Sequence, residues 1–405
     1  MNADFLNNIC DNLWQTKKQN MNHQESKSIR IQTERTQNKE HSTPLFLTSS
    51  FVFDTAEDLK AAFAEENDAY IYSRYSNPNT NEFIDKMCSL EKTETGFATA
   101  SGMASVFASL ITFLSAGDHV ISCASVFGAT HTILHKYFPK WGITYSYFDA
   151  NHPEEIEKLI KPNTKIIFLE TPTNPAIEVI DLALVGKIAK KHNLLFIVDN
   201  CFATPILQRP VEYGADLVIH SATKYIDGQG RVLGGCVLGK KELIHEIYLF
   251  SRVSGPALSP FNAWVLSKSI ETLALRVERH CSNALFIAEN IEGHTALDFV
   301  HYPFLKSHPH YAIAQKQMSA GGGIITFSLK GGYEAGKAFM NKLQMIKISP
   351  NLGDSRTIAT HPASSTHCKL SEEEKVKVGI TPGLIRISVG LENKQDILDD
   401  ILQAL

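Results

Sequence analysis

The 405 residues, 43% hydrophobic and 20% charged, are enough to bury a large core and to divide it between two domains. A formal net charge of −4, with no lysine or arginine stripe interleaved with aromatics, argues against nucleic acid as a partner. Seven cysteines scattered from Cys10 to Cys368 without a CxxC argue against a zinc ribbon or a disulfide framework and suit a reducing compartment.

Residues 1–40 are rich in Asn, Gln, Lys and Glu and read as a polar arm, with a short helix around Phe5 to Trp14. They lack the apolar core of a signal peptide, so the cytoplasm is the expected location. Residues 44–53 are apolar and extended, and Asp54 or Thr55 can cap a helix from Ala56 to Phe63. The segment YIYSRYSNPN (70–79) is aromatic and turn-prone. Tyr72 and Arg74 in it suit an anion grip, although a solvated arginine in an aromatic loop has the same composition. The stretch from Gly96 to Gly117 contains no charged residue, yet glycines and small hydroxyls break its first third. It reads as a strand, a turn at Ser101-Gly102 and a buried helix, and no membrane span is expected.

From there apolar runs alternate with amphipathic segments. Strands are expected at 96–99, 119–123, 165–170, 194–199 and 216–220, with helices at 104–114, 129–138, 154–160 and 182–192. This alternation predicts an α/β fold with a mostly parallel, doubly wound sheet, which binds ligands outside the carboxyl ends of its strands. At those ends stand Ser101-Gly102-Met103, Ser125-Val126-Phe127, Asn174, Asp199 and Lys224. Lys224 lies in GADLVIHSATKYIDGQGRVLGGCVLG (214–239), between the hydroxyls of Ser221 and Thr223 and a run of glycines. Burial lowers a lysine pKa, and the neutral amine can attack a carbonyl to form a Schiff base. Backbone N–H groups of Gly102 and Met103 would bind a phosphate, Phe127 would stack on a flat ring and Asp199 would keep a ring nitrogen protonated. With Lys224 taking an aldehyde, the set describes pyridoxal 5'-phosphate. From about Pro256 a long helical stretch (260–294) leads into an α+β portion with strands at 324–329, 345–349 and 385–389.

From about residue 40 to the end the chain resembles the Cys/Met-metabolism group of fold-type I pyridoxal-phosphate enzymes. YSRYSNP (72–78), SGM (101–103), ETPTNP (170–175), VDN (198–200), SATKY (221–225), THPASSTH (360–367) and LIRISVGLE (384–392) carry the resemblance. It implies an aspartate aminotransferase-like fold, with residues 1–65 as an arm and inter-subunit segment, 66–258 as the cofactor-binding large domain and 259–405 as the C-terminal domain. It also implies that Lys224 links to the cofactor, Asp199 pairs with its ring nitrogen, and Gly102, Met103, Ser221 and Thr223 surround its phosphate. Asn174 would lie near the phenolic oxygen and Arg386 would clamp the substrate α-carboxylate. Tyr72 and Arg74 would reach the phosphate of a neighbouring subunit, so a homodimer or homotetramer with shared active sites is implied.

Departures from the family pattern narrow the reaction. Phe127 stands where many members stack a tyrosine, so no hydroxyl is available there as an acid or base. Gly128-Ala129-Thr130 replaces the cysteine of the methionine γ-lyase pattern. In NLGDSRT (351–357) Arg356 occupies the place of the glutamate found in cystathionine-handling members; Arg356 and Thr357 are taken as substrate contacts. That run resembles the sulfhydrylase version, and IDGQGRVLGG (226–235) resembles in particular the sulfhydrylases acting on O-succinylhomoserine. The implied reaction is γ-replacement: the substrate amine displaces Lys224, whose amine removes the α-proton, succinate leaves Cγ, and sulfide adds to give homocysteine. An O-acetyl ester, cystathionine synthesis or γ-elimination are alternatives, and Arg356 or Arg231 would attract a succinyl carboxylate. His131 and His135 have metal-ligand spacing but no third ligand, so no metal is expected. Gly228 to Gly234 has only the outline of a dinucleotide fingerprint, since a strand follows it.

Overall fold

The computed structural model describes residue 21, residues 23–368 and residues 371–405. The helix expected at Phe5 to Trp14 lies outside the described residues. Seven strands form the larger sheet: β1 (Thr95–Thr99), β2 (His119–Cys123), β3 (Thr144–Phe148), β4 (Thr164–Glu170), β5 (Leu195–Asp199), β6 (Leu217–Ser221) and β7 (Gly235–Gly239). Their order is β1-β7-β6-β5-β4-β2-β3. Strands β2 to β6 are mutually parallel, while β7 runs antiparallel between β6 and β1. Glycine makes that insertion possible: a Cβ on Gly235 would lie 2.5 Å from the Ser101 carbonyl oxygen.

The central strands read as continuous apolar runs because helices cover both faces. Ile167, Phe168, Val198 and Val218 are buried at the sheet centre, in one core with residues from Gly102–Ile111 and Leu182–His192. The uncharged stretch from Gly96 to Gly117 is β1, the Ser101 cap and helix Gly102–Ile111, and no helix among the described residues is long and apolar enough to cross a membrane. Thr55, not Asp54, caps helix Ala56–Phe63, accepting from the Asp58 amide.

Sequence and structure part at several points. β3 was not expected because TYSYF is a run of four hydroxyl-bearing residues and one phenylalanine at a sheet edge. The segment 129–138 is not one α-helix: helix Gly128–Thr132 widens into a π-turn at Ile133–Tyr137 and tightens into a 3₁₀ turn at Phe138–Trp141. His131 and His135, which lie there, hydrogen-bond the hydroxyls of Tyr147 and Tyr145, each at 2.8 Å, so the pair is part of an aromatic stack on β3. The long stretch 260–294 divides into Pro260–Ile270 and Leu273–Ile291, because Thr272 leaves helical dihedrals (φ −113°, ψ 9°).

A five-stranded sheet follows: β8 (Leu297–His301), β9 (Ile324–Leu329), β10 (Lys347–Ile348), β11 (Ile358–Thr360) and β12 (Leu384–Ser388), in the order β10-β11-β12-β9-β8. It packs its own core of Ile325, Phe327, Ile385 and Ile387 against helices Leu273–Ile291 and Lys394–Ala404. Between the two sheets, Tyr225 and Ile226 join helices Pro78–Glu91 and Pro260–Ile270 in a further apolar cluster. The segment around Lys224 is thereby anchored from below.

Candidate active site

Strand β6 ends at Ser221, and the chain closes a helical turn in which the Lys224 amide donates to the Ser221 carbonyl at 3.1 Å. Gly228 (φ +68°) continues it, donating its amide to the Lys224 carbonyl at 2.8 Å. The turn aims the Lys224 side chain across the strand ends, where Nζ donates to Asn351 Oδ1 at 2.7 Å. Burial lowers the amine's pKa below the usual lysine range; the Arg386 charge pushes the same way and the Cys201 thiol opposes.

Beside it, Asp199 closes β5 opposite Glu170 at the end of β4, the two being register partners. Burial raises Asp199 to about 6, against the hydrogen bond from the Cys201 amide to its Oδ1 (3.0 Å) and the pull of His220. His220 in turn meets Glu91 Oε1 at 2.6 Å, a buried pair tied to Asn200 by its side-chain amide at 2.7 Å. Glu170 is pushed well above the carboxylate range by burial and by the Asp199 charge. Its Oε2 accepts from the Phe127 amide at 3.0 Å, which fixes the backbone below a phenyl ring left 44% exposed.

On the other side of Lys224, Ser101 caps helix Gly102–Ile111 by accepting from the Ala104 amide at 3.2 Å. The helix start abuts the end of β6 so closely that a Cβ on Gly102 would meet the Ser221 side chain. Thr223 exchanges hydrogen bonds with Gly234, its hydroxyl donating to the carbonyl at 3.3 Å and accepting from the amide at 3.2 Å. Tyr72 and Arg74 lie elsewhere. Tyr72 is 41% exposed, and the Arg74 guanidinium rests against the Tyr72 and Tyr75 rings and donates to the Arg252 carbonyl.

Arg386, on β12, reaches the cleft from the smaller sheet. Nη1 donates to Asn174 Oδ1 at 2.8 Å, and Nη2 to the carbonyls of Pro350 (3.2 Å) and Asn351 (3.1 Å) and to Thr360 Oγ1 (3.3 Å). The side chain is 3% exposed, and burial lowers its pKa to about 10. Its Nε is buried without a partner. Thr357 is buried behind this point, its hydroxyl donating to Glu392 and accepting from the Gly390 amide. Arg356 stands at the rim with its fork closed on Asp354 (2.8 and 2.9 Å), and Arg231 is paired with Asp227 four residues before it. His361 hydrogen-bonds the Pro382 carbonyl and the Ser364 hydroxyl, at 2.8 Å each, away from the lysine.

Two residues at the centre had no role assigned from sequence. Asn351 is read only as part of NLGDSRT, and Glu170 only as the end of a strand and the first residue of ETPTNP. An asparagine before Leu-Gly reads as turn chemistry, and a contact 127 residues away in the chain leaves no local trace.

The family model for Cys/Met metabolism PLP-dependent enzymes matches residues 25–405. The chain belongs to this family. Over 378 residues it is 44% identical to the O-succinylhomoserine sulfhydrylase of Pseudomonas aeruginosa, spanning 93% of this chain and 94% of that one. Over 366 residues it is 42% identical to the L-methionine gamma-lyase of Porphyromonas gingivalis, with 90% and 92% covered. Among solved structures, a putative O-acetylhomoserine (thiol)-lyase from Campylobacter jejuni, crystallised with pyridoxyl-lysine phosphate, superposes with a TM-score of 0.91. It is 33% identical over 94% of this chain and 99% of that one.

The residues present fit the family's cofactor, pyridoxal 5'-phosphate. A Cβ on Gly102 would lie 2.5 Å from Ser221 Cβ and 2.8 Å from its Oγ, so only glycine lets the helix start lie against the Ser221 hydroxyl. The exposed Phe127 ring, the half-buried Asp199 carboxyl and the Lys224 amine would offer it a stacking face, an anionic partner and a nucleophile. Gly102→Ala is therefore expected to weaken retention of added cofactor at least tenfold and to destabilise the chain by about 1–3 kcal/mol. Fluorescence titration with the cofactor and thermal unfolding would check the two effects separately.

Proposed function

We propose that this family member catalyses γ-replacement on O-succinylhomoserine, with sulfide as the incoming nucleophile and homocysteine and succinate as products. The bond from Cγ to the ester oxygen breaks, a bond from Cγ to sulfur forms, and the succinate oxygen takes the electron pair. The carrying observation is that Lys224 Nζ and Arg386 Nη2 both bond residue 351, at 2.7 and 3.1 Å, so a base and a carboxylate clamp are held at a set spacing. Similarity to the Pseudomonas sulfhydrylase supports the choice of ester.

When bound, pyridoxal phosphate supplies an electron sink for charge developing at the substrate α-carbon. Gly102, Met103, Ser221 and Thr223 would hold its phosphate, Phe127 its ring face, Asp199 its ring nitrogen and Asn174 the side of its phenolic oxygen. Lys224 removes and returns protons at the substrate carbons, and its lowered pKa keeps a larger fraction of the amine unprotonated. Arg386 takes the α-carboxylate, which would satisfy the buried Nε now lacking a partner. Arg356, preset at the rim by Asp354, meets the succinyl carboxylate; Arg356→Ala should lower the preference for the succinyl over the acetyl ester roughly five- to tenfold.

The deciding assay offers succinyl-, acetyl- and phosphohomoserine, each with sulfide or cysteine, and follows succinate release and thioether or thiol formation. A second reading, γ-elimination to ammonia and a keto acid, is favoured by the methionine γ-lyase relatives. Ammonia release undiminished by sulfide would establish it over the first.

Tyr72 and Arg74 complete the cradle of a neighbouring subunit in this proposal. Tyr72 is 41% exposed, and among the described residues the half-buried Arg74 meets only Tyr72, Tyr75 and the Arg252 carbonyl, outside its own chain's Lys224 site, which supports it. Mixing inactive Lys224→Ala chains with inactive Arg74→Ala chains, then unfolding and refolding them together, should restore about a quarter of wild-type activity, because half the dimers regain one intact site. No recovery would assign Arg74 to its own chain.

A further inference from the structure

We infer that Asn351 is a positioning residue that receives the ε-amine of Lys224 whenever that amine is free and ties its place to that of Arg386. The side-chain carbonyl of Asn351 accepts from Nζ at 2.7 Å, while its main-chain carbonyl accepts from Arg386 Nη2 at 3.1 Å. One residue therefore touches both the group that moves protons and the group that holds the carboxylate.

The segment carrying Asn351 is not free to drift. Gly353 (φ +72°) packs so tightly on the lysine turn that a Cβ there would lie 2.6 Å from the Tyr225 amide nitrogen. Its own amide donates to Ser388 Oγ on β12 at 2.8 Å, and the Ser355 amide donates to the Gly228 carbonyl at 2.8 Å. Farther along, Arg356 Nη2 donates to the Gln229 carbonyl at 3.0 Å. Residues 351–356 are thus bonded alternately to the lysine turn and to the strand bearing Arg386.

The chemistry of the acceptor matters as much as its place. Lys224 reacts only when its amine is free of the extra proton; the Cys201 thiol and Arg386 are the titratable groups that act on it, and Asp199 and Glu170 act in turn on that thiol. A carboxylate at position 351 would anchor the amine but hold that proton on it. An apolar side chain would leave a buried amine without an acceptor and let it swing away. An amide carbonyl orients the amine while adding no net charge.

The kinetic part of this inference rests on the roles proposed above for Lys224 and Arg386; the titration part does not. In the full-length chain stripped of cofactor, the pH dependence of Lys224 modification by trinitrobenzenesulfonate would be followed by peptide mass spectrometry. Asn351→Ala should move the midpoint down by about one pH unit, and Asn351→Asp should move it up by at least as much. In the cofactor-loaded enzyme Asn351→Ala should lower kcat at least tenfold. Unchanged midpoints, or a shift in the same direction for both variants as general loosening would give, would overturn the inference. Opposite shifts together with no sulfide-dependent succinate release would uphold it while removing the proposed reaction.

Discussion

Lys224→Ala is expected to lower turnover by ~10³-fold or more while leaving the chain as stable as the wild type. The two halves of the expectation have one cause. The amine is largely desolvated, with Asn351 Oδ1 as its hydrogen-bond acceptor and the Arg386 charge nearby, an arrangement that would serve reactivity at the expense of solvation. Removing the side chain relieves that desolvation, and the loss of packing around a long, partly buried stem offsets the gain. Lys224→Arg should be equally inactive, although it keeps the positive charge, because a guanidinium does not give up its proton near neutral pH. Thermal unfolding, visible absorbance of lysine-linked cofactor and succinate release separate the effects. Turnover within tenfold of wild type in either variant would remove Lys224 from the centre of the chemistry.

The parts of this architecture that were legible in the sequence are those whose signal is local. Strands β4, β5 and β6 are short apolar runs buried on both faces, so their periodicity and their ends could both be read, and with the ends came Asp199 and Lys224. β3 was lost because a sheet-edge strand needs no apolar face: Tyr145 and Tyr147 turn their hydroxyls to His135 and His131. β8 was lost for the weak patterning of LDFVH, and β11 for its length of three residues. Side-chain partnerships across the chain were illegible for a different reason. Arg231 and Arg356 look like free cations in sequence, yet Asp227 and Asp354 hold them. Thr357 stands in a site-like motif, but its hydroxyl is taken up by Glu392 and Gly390. Which acceptor a buried donor finds is decided by tertiary packing, and no spacing rule carries that information.

The sharpest consequence of that packing concerns Asp199. In the cofactor-free chain burial raises its pKa from the usual 3.8 to about 6. Between those two values the folded chain retains a proton that the unfolded chain has lost, so stability falls as pH rises through the window, and the deficit persists at pH 7. Two pH units correspond to about 3 kcal/mol. Glu170 has a shift of the same sign, in part because the Asp199 charge faces it, so removing that charge relaxes both. Asp199→Asn keeps an oxygen able to accept from the Cys201 amide and should raise the unfolding temperature of the cofactor-free chain at pH 7 by several degrees. Below pH 4 the variant and wild type should unfold together, and their curves should separate as pH rises toward 6. In the role proposed for Asp199 the same substitution removes the negative charge that would keep the ring nitrogen protonated, so turnover should fall by at least ~100-fold and cofactor should wash out more readily. A variant less stable than wild type at pH 7 would mean that the His220–Glu91 pair already compensates the buried charge, and that Asp199 is part of the fold's support as well as of its chemistry.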